Sequence, residues 1–585
     1  MQRSFAALRM TADFFLLKTA LIEVRMLRPI LLLVVLLFGV TMDFSGQDRF
    51  YGRSVVMTDR GIVATSHYLA SQAGTQILAK GGTAIDAAIA ANAVLGVTEP
   101  MNNGIGGDLF LIYWEAKTGK LYGLNSSGWA PRGLSVEFLA KHGITSMPED
   151  GIHSVTVPGA VEGWTQSHQR FGRLPWKDLF APAIYYAEHG YVVPEIIHDY
   201  WVEEEVKLQK TSESRRVFLQ GGKAPEAGSR FSNPDLAKTL RLIANQGRDA
   251  FYKGEIAKAI VSTSASFGGT MQLDDLTDFS AEWVEPISID YRGWKIYELP
   301  PNGQGMAALE MLNIMSTFQP DAGGPQGTVE LHKKIEAMKL AYSDLYRYNA
   351  DPRFVKVPVQ DLLSTTYAAE RAALINSNKA NCNPGPGNPA TSDTVYLAAV
   401  DKDGNIASLI QSNYAGFGSG VVVNGMGFLL QNRGALFVLD PSHPNVLHPR
   451  KRPFHTIIPA FMEQGDVHIG FGIMGGPNQP LAHTQFVSNF VDYGMNIQAA
   501  LEAPRFTVAG NKVSCDIPIE SRVKPEVLQA LQDKGHNLIV RGAYTTAMGR
   551  GQAVMHNSKT GLNSGASDPR ADGVAEPEPP EVHFE

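Results

Sequence analysis

The sequence predicts a layered α/β fold in which β-sheets are sandwiched between helical layers. Three observations predict it. Helical periodicity comes in blocks, hairpin signals interrupt those blocks, and one strand segment, Thr394 to Val400, is apolar on both of its alternating faces. A strand covered on both sides belongs inside a stack of layers rather than on a solvent-facing sheet. Composition allows such a core, because 44% of the 585 residues are hydrophobic and 19% are charged; the chain is neither disordered nor fibrous.

The elements follow in chain order. Arg25 and Arg28 flank an apolar run from Ile30 to Val40, broken by Gly39 and ended before Asp43. The run falls short of the roughly 20 apolar residues of a membrane span and has the length of a signal-peptide core. Residues 1–45 are therefore expected to direct export to the periplasm or the exterior. The alternatives are a hydrophobic N-terminal helix or an uncleaved anchor, since no small-x-small cleavage site follows, and Met26 as the true start. From Ser66 to Leu95 two helices are expected, separated by Gly81-Gly82, with Thr83 capping the second and Ile85, Ile89 and Ala93 at helical spacing. The turn cluster Asn102-Asn103-Gly104-Ile105-Gly106-Gly107 leads into a hairpin, Leu109 to Trp114 and Leu121 to Asn125, around Lys117-Thr118-Gly119.

Pro158 to Tyr348 reads as helix-rich, and Thr328 to Tyr348 carries Leu331, Ile335, Met338 and Tyr342 at helical intervals. Between Asn376 and Ser392 the pattern collapses into Asn, Pro and Gly, which neither a helix nor a central strand accommodates. This is an exposed linker. Strands Thr394 to Val400 and Ile406 to Ser412 follow around Asp401-Lys402-Asp403-Gly404-Asn405, then a second hairpin, Thr456 to Met462 and Val467 to Ile473. Gly475-Gly476 then opens a helix from Asn478 to Tyr493, and the Pro/Glu-rich end after Val574 reads as a frayed tail.

Several function classes lose support. The net charge of -7, with basic clusters as short as Arg450-Lys451-Arg452 and Arg215-Arg216, offers no surface for tracking nucleic acid. Cys382 and Cys515 lack CxxC spacing or paired histidines, so neither zinc nor redox chemistry is indicated, and a structural disulfide stays open. No HExxH, P-loop or strand-GxGxxG-helix pattern occurs, and no cofactor is expected.

A Pro/Gly linker that delivers directly into a core strand at Ser392-Asp393-Thr394-Val395-Tyr396 invites a cleavage reading. Taken alone, Thr394 is an ordinary β-branched strand residue. The stretch Asp393-Thr394-Val395-Tyr396 with Val400-Asp401-Lys402-Asp403-Gly404-Asn405 resembles the start of the small subunit of gamma-glutamyltranspeptidases. Phe417-Gly418-Ser419-Gly420, Lys451-Arg452-Pro453, Gly475-Gly476, Glu502-Ala503-Pro504-Arg505-Phe506 and Gly565-Ala566-Ser567-Asp568-Pro569-Arg570 follow in family order. Upstream, Gly104-Ile105-Gly106-Gly107 and Pro300-Pro301-Asn302-Gly303 resemble the large subunit, so the likeness spans about Met57 to Arg570.

The resemblance implies a four-layer αββα N-terminal-nucleophile hydrolase, cut between Asp393 and Thr394 into a large subunit (46–393, with the linker 376–392) and a small subunit (394–585). It implies Thr394 as nucleophile, its own freed amine as base, Gly475 and Gly476 as oxyanion hole, and Ser412 as a neighbouring hydroxyl, which as a residue type is equally an ordinary strand serine. The partners implied are the two subunits of one precursor and a small γ-glutamyl or related acyl amide such as glutathione, with water or an amino-acid or peptide amine accepting the acyl group.

This sequence departs from the family where the acyl group is read. The family's substrate-binding arginine aligns with Ser127 and its aspartate with Leu436, the paired serines after Lys-Arg-Pro are His455 and Thr456, and the family's asparagine after the second hydroxyl position is Tyr414. The segment from Phe437 to Pro449 is short for a lid loop. A carboxylate-bearing substrate then needs a replacement cation. Arg433 is the candidate, with His455, Thr456, Tyr414 and Ser127 around it; its bland reading is a solvated loop charge. A glutaryl or cephalosporin-type acylase is the enzymatic alternative, and a processed but idle binding protein is the rival from another class.

Overall fold

The computed structural model describes residues 49–385, 393–510 and 513–581, with the backbone alone for Asp393 and Thr394. The Ile30–Val40 run and linker residues 386–392 lie outside the described residues.

Two seven-stranded antiparallel sheets carry the fold. The strands used below are β1 (Val56–Thr58), β2 (Ile62–Thr65), β3 (Asp108–Glu115), β4 (Lys120–Ser126), β5 (Glu282–Val284), β6 (Ile287–Tyr291), β7 (Trp294–Glu298), β8 (Asp393–Val400), β9 (Ile406–Tyr414), β10 (Ala460–Gln464), β11 (Val467–Ile473), β12 (Gly551–Asn557), β13 (Leu562–Ser567) and β14 (Val574–Pro577). One sheet runs β1-β13-β12-β11-β10-β7-β6 and the other β14-β2-β8-β9-β3-β4-β5. Helices α1 (Tyr68–Ala79) and α2 (Ala84–Thr98) cover the second sheet, and α3 (Gly305–Ser316) and α5 (Gln479–Val491) cover the first; α4 (Thr328–Tyr348) packs on α3. The result is the αββα sandwich expected from the resemblance.

The two-faced apolarity of β8 now has its reason. Val395, Leu397 and Ala399 pack in the core shared with α1 and α2, while Tyr396, Ala398 and Val400 point into the core between the sheets, against Phe461, Met474 and Val554. Full burial of each larger aliphatic side chain there contributes about 1.5–3 kcal/mol. The sheets approach closely at Gly472 of β11, where an added Cβ would lie 2.5 Å from the Tyr396 ring. Thr83 caps α2 as expected, in a capping box with Asp86, whose Oδ2 accepts from the Thr83 amide at 2.9 Å.

Three expectations need correction, and one reading left open is settled. The helix-rich middle also contains β5, β6 and β7; β6 and β7 form a tight hairpin through Arg292 and Gly293 (φ 52° and 83°), a two-residue turn with both central φ positive. The second large hairpin starts at Ala460 rather than Thr456, because Thr456 and Ile458 bond outside the ladder, to Arg433 and Gln479. The end after Val574 is not frayed: Val574–Pro577 pairs with Ile62–Thr65 as an edge strand, a place where its proline is tolerated. Cys382 and Cys515, left open above, form a disulfide.

Candidate active site

β8 and β9 pair in regular register from Val400 opposite Ile406 to Val395 opposite Gln411, and then slip, so that Asp393 faces Tyr414. Thr394 therefore stands alone against Ser412 and Asn413. A two-against-one bulge twists a strand and re-aims what it carries, and such bulges concentrate beside active sites. Tyr414 closes the bulge with φ +81°, a strained value for a bulky residue, and its N–H donates to Ser412 Oγ at 2.8 Å. On its other edge Ser412 pairs with Asp108 of β3.

Across the sandwich, β11 is followed after Met474 by Gly475 and Gly476, with φ of +129° and +58°. Only glycine takes these values without strain. At Gly475 there is also no room, since an added Cβ would sit 3.1 Å from Gly549 Cα. Such a pair leaves the backbone uncovered by side chains, which close approach of another group to it requires. A cleft of about 450 Å³ opens beside Gly475, lined by Tyr200, Glu203, Asn478, Thr507 and Arg541.

Of the residues singled out for the acyl end, Arg433, His455, Thr456 and Tyr414 form one buried cluster around Asp108, which the sequence reading missed. Asp108, fully buried at the start of β3, accepts from Gly128 N–H at 2.9 Å, Gln431 Nε2–H at 2.8 Å and His455 Nε2–H at 2.8 Å, and its Oδ2 lies 3.5 Å from Arg433 Nε. Arg433 is not a solvated loop charge. It is fully buried, its Nη1 donates to Thr456 Oγ1 at 2.7 Å, and its guanidinium stacks 4.7 Å from the Tyr414 ring centre. Burial lowers its pKa to about 10, with Asp108 opposing the shift, so it stays cationic near neutrality.

Burial, reinforced by the Arg433 charge, lowers His455 to about 4, so its imidazole is neutral. Its Nε2–H then belongs to Asp108, and Nδ1 is left to accept, at 3.4 Å from Ile457 N. The polar atoms of this cluster without a hydrogen-bond partner among the described residues include Arg433 Nε and Nη2, the Tyr414 hydroxyl and Gln431 Oε1, although Arg433 Nε faces Asp108 Oδ2 at 3.5 Å. Buried polar groups are ordinarily satisfied, and Arg433 Nη2 and the Tyr414 hydroxyl, on stacked side chains, keep hydrogen-bonding capacity for a ligand.

Gln304, also missed, joins the two halves. Its Nε2 donates to Thr456 O at 2.5 Å and to Gly476 O at 2.8 Å. Ser127 stands apart: its hydroxyl donates to Asn125 Oδ1 at 2.7 Å, its carbonyl accepts from Arg452 Nε at 2.9 Å, and it meets the cluster through its neighbour Gly128. Leu436 is buried beside Tyr414 and Phe454 in an apolar cluster, so this position supplies no counter-charge for an ammonium group. Asp108 had a signal, an acidic residue directly after Gly106-Gly107 at the mouth of an apolar strand. Gln304 had none.

The gamma-glutamyltranspeptidase family model matches residues 70–578. The chain belongs to the gamma-glutamyltranspeptidase family. It is therefore an enzyme of the amidohydrolase and acyltransferase type with the N-terminal-nucleophile fold. Within the family it is similar to a glutathione hydrolase-like YwrD proenzyme of Bacillus subtilis, 38% identical over 89% of this chain and 99% of the relative. It is also similar to an oxamate amidohydrolase proenzyme of Klebsiella pneumoniae, 34% identical over 89% and 98%. Among solved structures, a cephalosporin acylase from Bacillus halodurans superposes with a TM-score of 0.85, at 44% identity over 91% of this chain and 99% of the other. No helix of the described residues is long and apolar enough to cross a membrane.

Proposed function

We propose that this family member is cut between Asp393 and Thr394, and that it then hydrolyses amides whose acyl group carries a carboxylate. The observation that carries the substrate class is the orphaned Arg433 Nη2 beside the orphaned Tyr414 hydroxyl. A carboxylate entering there gains a charge-assisted hydrogen bond that a neutral pocket could not offer. Nη1 is anchored on Thr456 Oγ1 and Nε faces the Asp108 carboxylate at 3.5 Å, which leaves Nη2 for the ligand.

In the precursor the Thr394 hydroxyl adds to the Asp393 carbonyl, the acyl group passes from nitrogen to oxygen, and water opens the ester. This leaves an Asp393 carboxylate and a Thr394 amine. The names of the relatives as proenzymes support this step. With an intrinsic pKa of about 7.7–8.0, the amine is partly neutral at physiological pH and takes the proton of its own hydroxyl as that oxygen attacks the substrate carbonyl. The oxyanion is received by backbone at Gly475 and Gly476, and Ser412 lies beside the attacking residue. The proton passes to the leaving amine, for which the cleft beside Gly475 provides space, and water or an acceptor amine then releases the acyl group from Thr394.

γ-Glutamyl compounds, glutathione first, are the substrates this reading puts forward. Buried Leu436 favours a second reading, an acylase for glutaryl or similar side chains, because a γ-glutamyl ammonium finds no carboxylate at that position. The leader-like N-terminal run and the disulfide together support an oxidising, exported location.

The test joins intact mass with kinetics. Wild type should give two chains, the shorter starting at Thr394, and Thr394→Ala should remain uncut with kcat reduced at least about 10⁴-fold. A shorter chain starting elsewhere, or turnover surviving the substitution, sinks the proposal. Comparing kcat/KM on γ-glutamyl and glutaryl anilides separates the two substrate readings.

A further inference from the structure

The disulfide and the cleavage point sit on the same thread. Cys382 lies eleven residues before the Asp393–Thr394 bond and Cys515 lies beyond it. We infer that Cys382–Cys515 is a covalent link between the two chains of the mature enzyme. The inference rests on the cut proposed above, since without it the bond merely closes a loop within one chain.

The surrounding contacts fasten the same stretch of the large subunit to the small one. Ala380 N–H donates to Lys534 O at 2.7 Å, and Lys534 Nζ donates back to Ser377 O at 2.6 Å. Asn381 N–H donates to Glu336 Oε2 of α4 at 3.0 Å, which seats the strap on its own subunit beside the crossing.

A buried relay crosses the seam next to it. His332 Nε2–H donates to Asn376 O at 2.8 Å, and this leaves His332 Nδ1 to accept from His536 Nε2–H at 2.8 Å. Lys339 Nζ lies 3.5 Å from His536 Nδ1 and 3.7 Å from Cys515 Sγ, and donates to Glu336 Oε1 at 2.7 Å. Burial lowers the pKa of both histidines, to about 3 at His536, where the Lys339 charge adds to the effect, so the relay is complete with both rings neutral. His332, Glu336 and His536 lie close enough to suggest a metal site. The Lys339 ammonium already holds the carboxylate, however, and the trio acts as the buried polar filling of the seam.

Formation of the link removes two protons and two electrons from the Cys382 and Cys515 thiols and transfers them to a disulfide-bearing oxidant, which leaves as two thiols; a dithiol reductant reverses the exchange. Once linked, the carboxy terminus created at Asp393 stays within about 40 Å of Cys382, eleven residues at roughly 3.3–3.6 Å each.

The experiment uses the purified full-length protein, with free thiols alkylated before denaturation, run on gels without and with a dithiol reductant. One band without reductant that resolves into two with it is the expected result, and Cys515→Ser should show two bands in both lanes. Two bands without reductant, or alkylation of Cys382 or Cys515 in unreduced wild type, overturns the link while leaving the cut intact. A single band under both conditions means that the chain was never cut, and both proposals then fall together.

Discussion

The Gly475–Gly476 turn and the Asp108–Arg433–His455 cluster meet at Gln304, yet they are made of different materials. The turn is backbone alone, at φ values that favour glycine, and in the proposed function it receives any acyl carbonyl. The cluster is made of side chains from separate segments, with a buried ion pair at its centre, and in the same proposal it reads one kind of acyl group. The difference teaches where this protein can change its substrate without losing its chemistry. Of the positions where the resemblance implies a departure from the family's pattern, His455, Thr456 and Tyr414 fall within the cluster, and none falls on the turn.

Substitutions on each side should therefore fail in different ways. The largest effect is expected at Gly475→Ala: a Cβ at φ +129°, 3.1 Å from Gly549 Cα, displaces the turn, and kcat should fall about 10²–10³-fold for every substrate. A substrate-dependent loss there would erase the distinction between the two regions.

Arg433→Ala comes next and should be selective. It removes a charged hydrogen bond worth roughly 1.5–3 kcal/mol, so kcat/KM for carboxylated acyl groups should drop about ten- to a hundredfold while an uncharged acyl amide is spared. Equal losses for both would show that the arginine is structural. Because the substitution also leaves Asp108 with less compensation, melting curves should accompany the kinetics.

The smallest effect concerns pH. His455 has a folded pKa of about 4 against about 6.5 in an unfolded chain. Between those values the unfolded state holds the extra proton, so the histidine's contribution is complete above about pH 6.5 and is lost as pH falls toward 4. His455→Gln should flatten the acid limb of the stability profile by at most about 1.4 kcal/mol per pH unit. An unchanged limb would mean that the ring titrates normally and is not sealed against Asp108.

What could be read from the sequence follows the same division. β8, β9, the two hairpins and the capped helix were legible because periodicity and turn residues are local signals, whereas Gly475-Gly476 by itself reads as a strand-to-helix turn and was singled out only through the family resemblance. The pairing of Asp108 with Arg433 and His455 was not legible, since partners more than 300 positions apart leave no spacing to detect. Arg433 itself was found by asking what could replace a missing cation. The hairpin at Arg292–Gly293 and the edge strand at Val574 were overlooked for a different reason: short strands at a sheet's rim draw their stability from neighbours, not from their own pattern.

The order of strands carries one last consequence. β2 lies between β8 and β14, β1 lies against β13, β3 against β9, and β7 against β10, so strands from before and after position 393 border one another in both sheets. Two pieces folded apart would each expose unpaired strand edges at those borders. The polypeptide has to fold while whole, and halves synthesised from separate genes would each lack the neighbours their strands require.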